Sequence, residues 1–409
     1  MYETRTTCRS CESAALTRVL YLGETPLADG LLSREQLDQP EARFPLTVAF
    51  CADCSLMQIL ETVSPEALYC RDYPYYSSFS DALLAHSRDN ALRLIESRKL
   101  GPDSLVVEVA SNDGYMLKNF VERGISVLGI DPAEGPARVA VEAGIPTLCT
   151  FFGAELARRL RDEGKTADVI IANNVLAHVP DQNGLVEGFA ALIKDDGVVV
   201  IEVPYVKDLV EHCEFDTIYH EHHCYFSVSA LVALFRRHGL SLNHVERYPI
   251  HGGSLRLYLG RREDVDDTVR ERLRDEAESG LTDAAYYRDF AGRVERIKTE
   301  LLGLLRGLKA EGKRIAAYGA AAKGSTLLNY AGIGAGIVDF VVDRNVHKQG
   351  LYMPGVRIPI RAPEALLEEM PDYTLLLTWN FKDEILRQQD EYRRAGGRFI
   401  VPIPRPEVV

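Results

Sequence analysis

Apolar residues fall in short continuous runs through the middle of the chain, at Leu105–Val109, Val127–Ile130, Val169–Ile171 and Val198–Val203. Stretches with helical spacing of apolar positions separate them. A strand apolar on both faces needs cover on both, so this alternation predicts a parallel sheet between helices. The segment closes on a different pattern. Leu240–Tyr248 and Ser254–Gly260 read as two strands joined by the turn Pro249-Ile250-His251-Gly252-Gly253.

A parallel sheet ending in an antiparallel hairpin is the pattern of a class I methyltransferase core; a plain dinucleotide-binding fold would continue as βαβ units. After it, Val265 to Lys313 is charged and helical. Strand patterns return at Arg314–Tyr318, Val338–Val342, Tyr373–Leu377 and Phe399–Pro402. The expected fold class is therefore α/β in three parts. Residues 1–70 form a zinc-binding module and residues 71–262 a methyltransferase core with a Rossmann-like sheet. Residues 263–409 form linker helices and a C-terminal Rossmann-like domain.

Composition changes little in that picture. The 409 residues are 46% hydrophobic and 26% charged, ordinary for a globular chain. The net charge of -13 argues against a nucleic-acid partner, which would need a basic face. No apolar run approaches the roughly 18 residues of a membrane span, and the N-terminus lacks a signal-peptide core. The expectation is a cytoplasmic protein without membrane partners. The pattern carries no signal for oligomeric state. In the cytoplasm the eight cysteines stay reduced, so paired cysteines point to metal.

Two such pairs exist, Cys8-Arg-Ser-Cys11 and Cys51-Ala-Asp-Cys54. Each C-x2-C turn presents two thiolates, and two turns complete a tetrahedral zinc site with no open position, so the zinc is structural. Leu20-Tyr21-Leu22-Gly23 and Pro45-Leu46-Thr47-Val48 between them can form strands. Cys70, Cys149, Cys213 and Cys224 show no ligand spacing and read as buried free thiols.

The first core strand runs into Glu108-Val109-Ala110-Ser111-Asn112-Asp113-Gly114, where small residues let backbone approach a ligand. The second strand ends in Asp131, placed to accept hydrogen bonds from a ribose. Asn174 follows the third. A nicotinamide cofactor, and hence an NAD(P)-dependent oxidoreductase, remains the alternative. The glycine fingerprint for a pyrophosphate is absent, however, and Glu108 would lie close to that dianion. S-adenosylmethionine has no phosphate and carries an ammonium group. The cofactor-binding set is Glu108, Ala110, Asn112, Gly114, Asp131 and Asn174.

Four clusters carry reactive groups: Asp72 to Ser78, Asn174 to Pro180, Asp216 to His223, and His251 to Arg256. The second and third follow strands and should meet at the carboxyl edge of the sheet. Histidine moves protons near neutral pH, a neighbouring Glu favours its charged form, and tyrosine hydroxyls donate to an oxyanion. These groups suit removal of a proton from carbon beside a carbonyl. A metal on His220-Glu221-His222-His223 is disfavoured, because its spacing departs from H-E-x-x-H.

The ordered motifs extend the two cysteine pairs with Tyr73-Pro74-Tyr75, Asn112-Asp113-Gly114 and Asn174 with His178. They continue through Phe215-Asp216-x-Ile218-Tyr219-x-Glu221-His222 and His251-Gly252-Gly253 to Tyr318-Gly319-Ala320-x-Ala322-Lys323 and Trp379-Asn380. In this order they resemble the sugar C-methyltransferases of deoxysugar biosynthesis. The resemblance implies zinc, S-adenosylmethionine, and a dTDP-linked 4-keto-deoxysugar methylated through an enolate, at C-3 in preference to C-5. Carried over by motif, the catalytic residues are Tyr73, His178, Tyr219, Glu221 and His222. Ala110 departs from the glycine of many methyltransferases. O- or N-methylation of another metabolite stays open. Lys323 in Gly319–Gly324 reads equally as a phosphate cradle or as a packing turn.

Overall fold

The computed structural model describes residues 2–64, 68 and 76–409. Tyr73 and Cys70 lie outside the described residues, as does the His251 side chain.

The core sheet has seven strands, in the order Ser241–Tyr248, Ser254–Gly260, Ile193–Pro204, Ala167–Asn173, Leu105–Val109, Ser126–Asp131, Thr147–Cys149. Five are parallel, and the Ser254–Gly260 strand is inserted antiparallel, so the hairpin closes the sheet at one edge. Alternate residues of each strand feed two cores: Val107, Ile170, Ile201 and Leu257 pack on one face, Val106, Ile171 and Val200 on the other. The helix Asp81–Arg98 covers the second face and starts at a cap in which Ser80 Oγ accepts from the Leu83 N–H.

The N-terminal module is a four-stranded antiparallel sheet. Leu16–Thr25, Phe44–Cys51 and Met57–Ile59 come from the module, and its edge strand, Cys224–Tyr225, comes from the core. The module is therefore stitched into the methyltransferase part by main-chain pairing.

The charged stretch splits into helices Asp267–Ser279 and Phe290–Ala310. The first anchors to the core through buried Glu276, which accepts from the N–H groups of Val228 and Ser229 and from the Tyr205 hydroxyl. The second buries Val294, Ile297, Leu301, Leu305 and Leu308 along one stripe. The C-terminal sheet has six strands, Ile360–Arg361, Val341–Val342, Ile315–Tyr318, Tyr373–Leu376, Arg398–Val401 and Glu407–Val408. Its first five are parallel. Among the described residues no helix is long and apolar enough to cross a membrane.

Candidate active site

The four paired cysteines converge as their spacing requires. Cys8 and Cys54 sulfurs are 3.5 Å apart, those of Cys11 and Cys51 3.6 Å, and all four lie within 4.8 Å of one another. Zn–S bonds of about 2.3 Å in a tetrahedron place sulfurs about 3.8 Å apart, so the cluster fits zinc. The hydrogen bond with Cys54 pulls the Cys8 thiol down to about 5, while burial pushes Cys51 up to about 11. The sulfurs compete for a single negative charge, a conflict that a divalent cation removes. Of the other cysteines, Cys213 and Cys224 are buried, whereas Cys149 is exposed, against expectation.

The cofactor edge is built around Asp131. Its Oδ2 accepts from the Asn112 N–H and its Oδ1 from the Ala133 N–H, both at 2.8 Å. The loop between strands turns through left-handed conformations at Ala110, Asn112 and Gly114. At Gly114 a Cβ would collide with the Ile145 side chain. The Asn112 side chain accepts from the Ser77 N–H at 2.8 Å, and Asp113 accepts from the Ser78 hydroxyl at 2.5 Å. These bonds tie the cofactor loop to the segment entering helix Asp81–Arg98. Asp131 and Asn112 thus shape the loop.

Glu108 carries the positive signal. It is 1% exposed, and neither carboxylate oxygen has a partner among the described residues. Burial, with Asp131 and Asp113 nearby, pushes it well above the usual carboxylate range. An unpaired buried carboxylate is costly unless a cation arrives. The ammonium and sulfonium of S-adenosylmethionine supply positive charge, so the residues fit that cofactor; a pyrophosphate would add charge of the wrong sign. Asn174 has φ 54 and donates its N–H to the Glu202 carbonyl at 2.8 Å.

Three of the expected catalytic side chains meet. His222 Nε2 is 2.9 Å from the Tyr219 hydroxyl and 3.1 Å from His178 Nε2. His222 Nδ1 is 2.8 Å from the Thr217 carbonyl, which can only accept. The proton of neutral His222 therefore sits on Nδ1, and Nε2 presents a lone pair to Tyr219 and His178. Burial, with His223 nearby, pushes His178 down to about 3, so its ring is neutral and can donate from Nε2.

The buried carboxyl of Glu221 is held well above the usual range by burial and by Asp29, with Lys348 opposing. The Thr217 carbonyl accepts from His222 Nδ1. His220 donates from Nε2 to the Pro45 carbonyl at 2.9 Å, a structural contact with the zinc module. Lys323 lies over the Trp379 ring, 4.5 Å from its centroid, and donates to Asn380 Oδ1 at 3.0 Å. Glu214 and Asp216 face it, which opposes a phosphate cradle at this lysine.

A further group at this edge escaped the sequence reading. Glu202 is bound by Arg256 Nε at 2.6 Å and by His86 Nε2 at 2.9 Å. Burial favours the neutral acid, yet His86 and Arg256 outweigh it and hold Glu202 low. Only Arg256, in the His251–Arg256 cluster, offered a signal.

Comparison with known proteins accords with this geometry. A C-methyltransferase, NovU, from Streptomyces niveus is 38% identical over 98% of this chain and 96% of its own length. The chain belongs to the C-methyltransferase family. Residues 8–69 match the family described as "Putative zinc binding domain", 80–245 a methyltransferase domain, and 249–404 a C-methyltransferase C-terminal domain. The ubiquinone biosynthesis O-methyltransferase of Vibrio campbellii is 30% identical over 23% of this chain and 41% of its own length. Among solved structures, magnesium protoporphyrin IX methyltransferase from Synechocystis PCC 6803 aligns at 15% identity and TM-score 0.35, over 44% of this chain and 82% of its own. This C-methyltransferase is thus an S-adenosylmethionine-dependent enzyme with a structural zinc site.

Proposed function

We propose that the enzyme methylates a sugar carbon beside a ketone, with a dTDP-linked 4-keto-deoxysugar methylated at C-3 as the substrate. The observation that carries this reading is the lone pair of His222 Nε2, held by the Nδ1–Thr217 hydrogen bond and facing two neutral donors. The ordered motifs shared with sugar C-methyltransferases support the sugar.

S-adenosylmethionine supplies an electrophilic methyl group. His222 Nε2 takes the proton from the carbon beside the ketone. The Tyr219 hydroxyl and His178 Nε2–H donate to the oxygen that becomes negative, so charge spreads over the enolate as the C–H bond breaks. The carbon so activated is a nucleophile for the methyl group that the bound cofactor would supply. Glu108, Ala110, Asn112, Gly114, Asp131 and Asn174 hold the cofactor, and Tyr73 positions the sugar. In this reading residues 1–70 scaffold the base, 71–262 carry the chemistry, and 263–409 close over the substrate. The cytoplasm, which keeps thiolates reduced, is the proposed compartment.

The test is washout of deuterium from the sugar carbon in the presence of S-adenosylhomocysteine. His222→Asn should slow it about a thousandfold. Washout at the parental rate would remove His222 as the base. Methyl transfer without any exchange in the parent would favour O-methylation, which needs no enolate.

A further inference from the structure

The turn that carries the base is tied to the C-terminal domain by side chains that touch neither sugar carbon nor cofactor in the reading above. Trp379 Nε1 donates to Asp216 Oδ2 at 2.7 Å, and Asp216 is fully buried. Asp216 is the middle residue of the turn Phe215–Thr217. The carbonyl of the same Thr217 accepts from His222 Nδ1. The turn Phe215–Thr217 is closed by the Thr217 N–H on the Glu214 carbonyl at 3.1 Å and the Ile218 N–H on Phe215 at 3.0 Å. One residue on, the Thr326 hydroxyl of the C-terminal domain donates to the Ile218 carbonyl at 3.2 Å.

We infer that Trp379 is a positioning residue for the base. Its indole N–H fixes the Asp216 carboxylate and with it the turn Phe215–Thr217, whose Thr217 carbonyl fixes the tautomer and aim of His222. The inference rests on His222 being the base and extends it to a domain more than 150 residues away along the chain.

The physical reason is the direction of each donor. The indole nitrogen can only donate, so its hydrogen bond favours the ionised form of Asp216 against burial, which pushes that carboxyl up to about 6. Asp216, so anchored, sets the path of the turn, and the turn sets the direction of the Thr217 carbonyl that faces His222. Lys323 stands over Trp379 and faces Asp216, so the same domain supplies both the hydrogen bond and the opposing charge. With the indole N–H gone, the turn loses one of its constraints and the Nε2–H tautomer of His222 becomes accessible. That tautomer has no lone pair toward the substrate.

Trp379→Phe tests this, because it keeps an aromatic ring under Lys323 and deletes only the donor. The readout independent of turnover is the nitrogen NMR signature of the His222 ring. In the parent it should report Nδ1–H, and in Trp379→Phe a mixture with Nε2–H. Deuterium washout and kcat should each fall about tenfold, with KM for the sugar within about twofold. Asp216→Asn, which keeps the shape but not the charge, should move the same signature the same way. An unchanged tautomer and kcat in a folded Trp379→Phe protein overturns the inference while leaving His222 as the base. A changed tautomer with unchanged washout counts against the base assignment itself. If Trp379→Phe fails to fold, the Asp216→Asn signature decides between the same outcomes.

Discussion

The two parallel sheets of this enzyme carry the same device at their carboxyl edges and use it differently. In the core, Asp131 at the end of the second strand accepts from Asn112 N–H and Ala133 N–H. In the C-terminal domain, Asp343 accepts from Ala320 N–H at 2.7 Å and Asn345 N–H at 2.8 Å. The first loop residue binds the second strand alike in both, Ala110 to Ile130 and Gly319 to Val342, each at 2.8 Å. Both loop residues have positive φ. The difference lies in the charge beside the loop. The core leaves Glu108 buried without a partner among the described residues. The C-terminal edge supplies its own cation, Lys348, which donates to the Ala320 carbonyl at 2.8 Å and faces Asp29 and Glu221. An edge with an unanswered charge awaits a ligand of opposite sign; an edge whose charge is answered from within serves packing.

The sharpest way to break this comparison is to remove the internal cation. Lys348→Met leaves Asp29 and Glu221 without compensation and should cost about 3 kcal/mol in urea unfolding near neutral pH. Both acids are raised in the folded protein, Asp29 and Glu221 each first by burial. A raised carboxyl binds more protons folded than unfolded, so its stability is present at low pH and lost as pH rises. The deficit of the variant should therefore shrink toward pH 5 and grow toward pH 8. A deficit independent of pH would place the role of Lys348 in packing alone.

Next in size, Glu108→Gln should weaken S-adenosylmethionine binding by about 2 kcal/mol in calorimetry, the scale of a hydrogen bond to a charged group. The same substitution should raise the melting temperature of the ligand-free protein at pH 8. Glu108 is pushed up in the folded state, so its ionisation opposes folding as pH rises. Weaker binding with lower stability would mean that Glu108 is already compensated.

The smallest effects separate the two clamps. Asp131→Asn and Asp343→Asn should each cost about 1 kcal/mol of stability by weakening backbone hydrogen bonds. Only Asp131→Asn should also raise KM for S-adenosylmethionine. Equal KM effects would erase the distinction between the edges.

Much of this was legible in the amino-acid pattern, and what was not shares one cause. The strand runs at Leu105–Val109 and Ser254–Gly260 are continuous or alternate cleanly, so their positions follow from local sequence. The zinc ligands follow from C-x2-C spacing. His178, Tyr219 and His222 follow strand ends, which topology gathers at one edge. Nothing local to Glu221 announces its electrostatic neighbours, Asp29 and Lys348, which come from the other two parts of the chain. Lys323 read equally as a phosphate ligand or as part of a packing turn, because the acids facing it lie more than 100 residues earlier. The short edge strands Thr147–Cys149 and Ile360–Arg361 have too few residues to show a period. Contacts between parts of the chain leave no local pattern, and the segment from Asp216 to His223 is where all three parts meet.

The Cys224–Tyr225 strand, paired to Met57–Ile59, has a consequence for heredity and engineering. The zinc module and the catalytic segment share a sheet, so they cannot be exchanged separately between relatives without mating two foreign strand edges. A chimera that imports the first 63 residues should import the segment through Tyr225 with them. In lineages that shuffle parts, these two stretches should travel as one inherited unit, although 160 residues of cofactor-binding sequence lie between them.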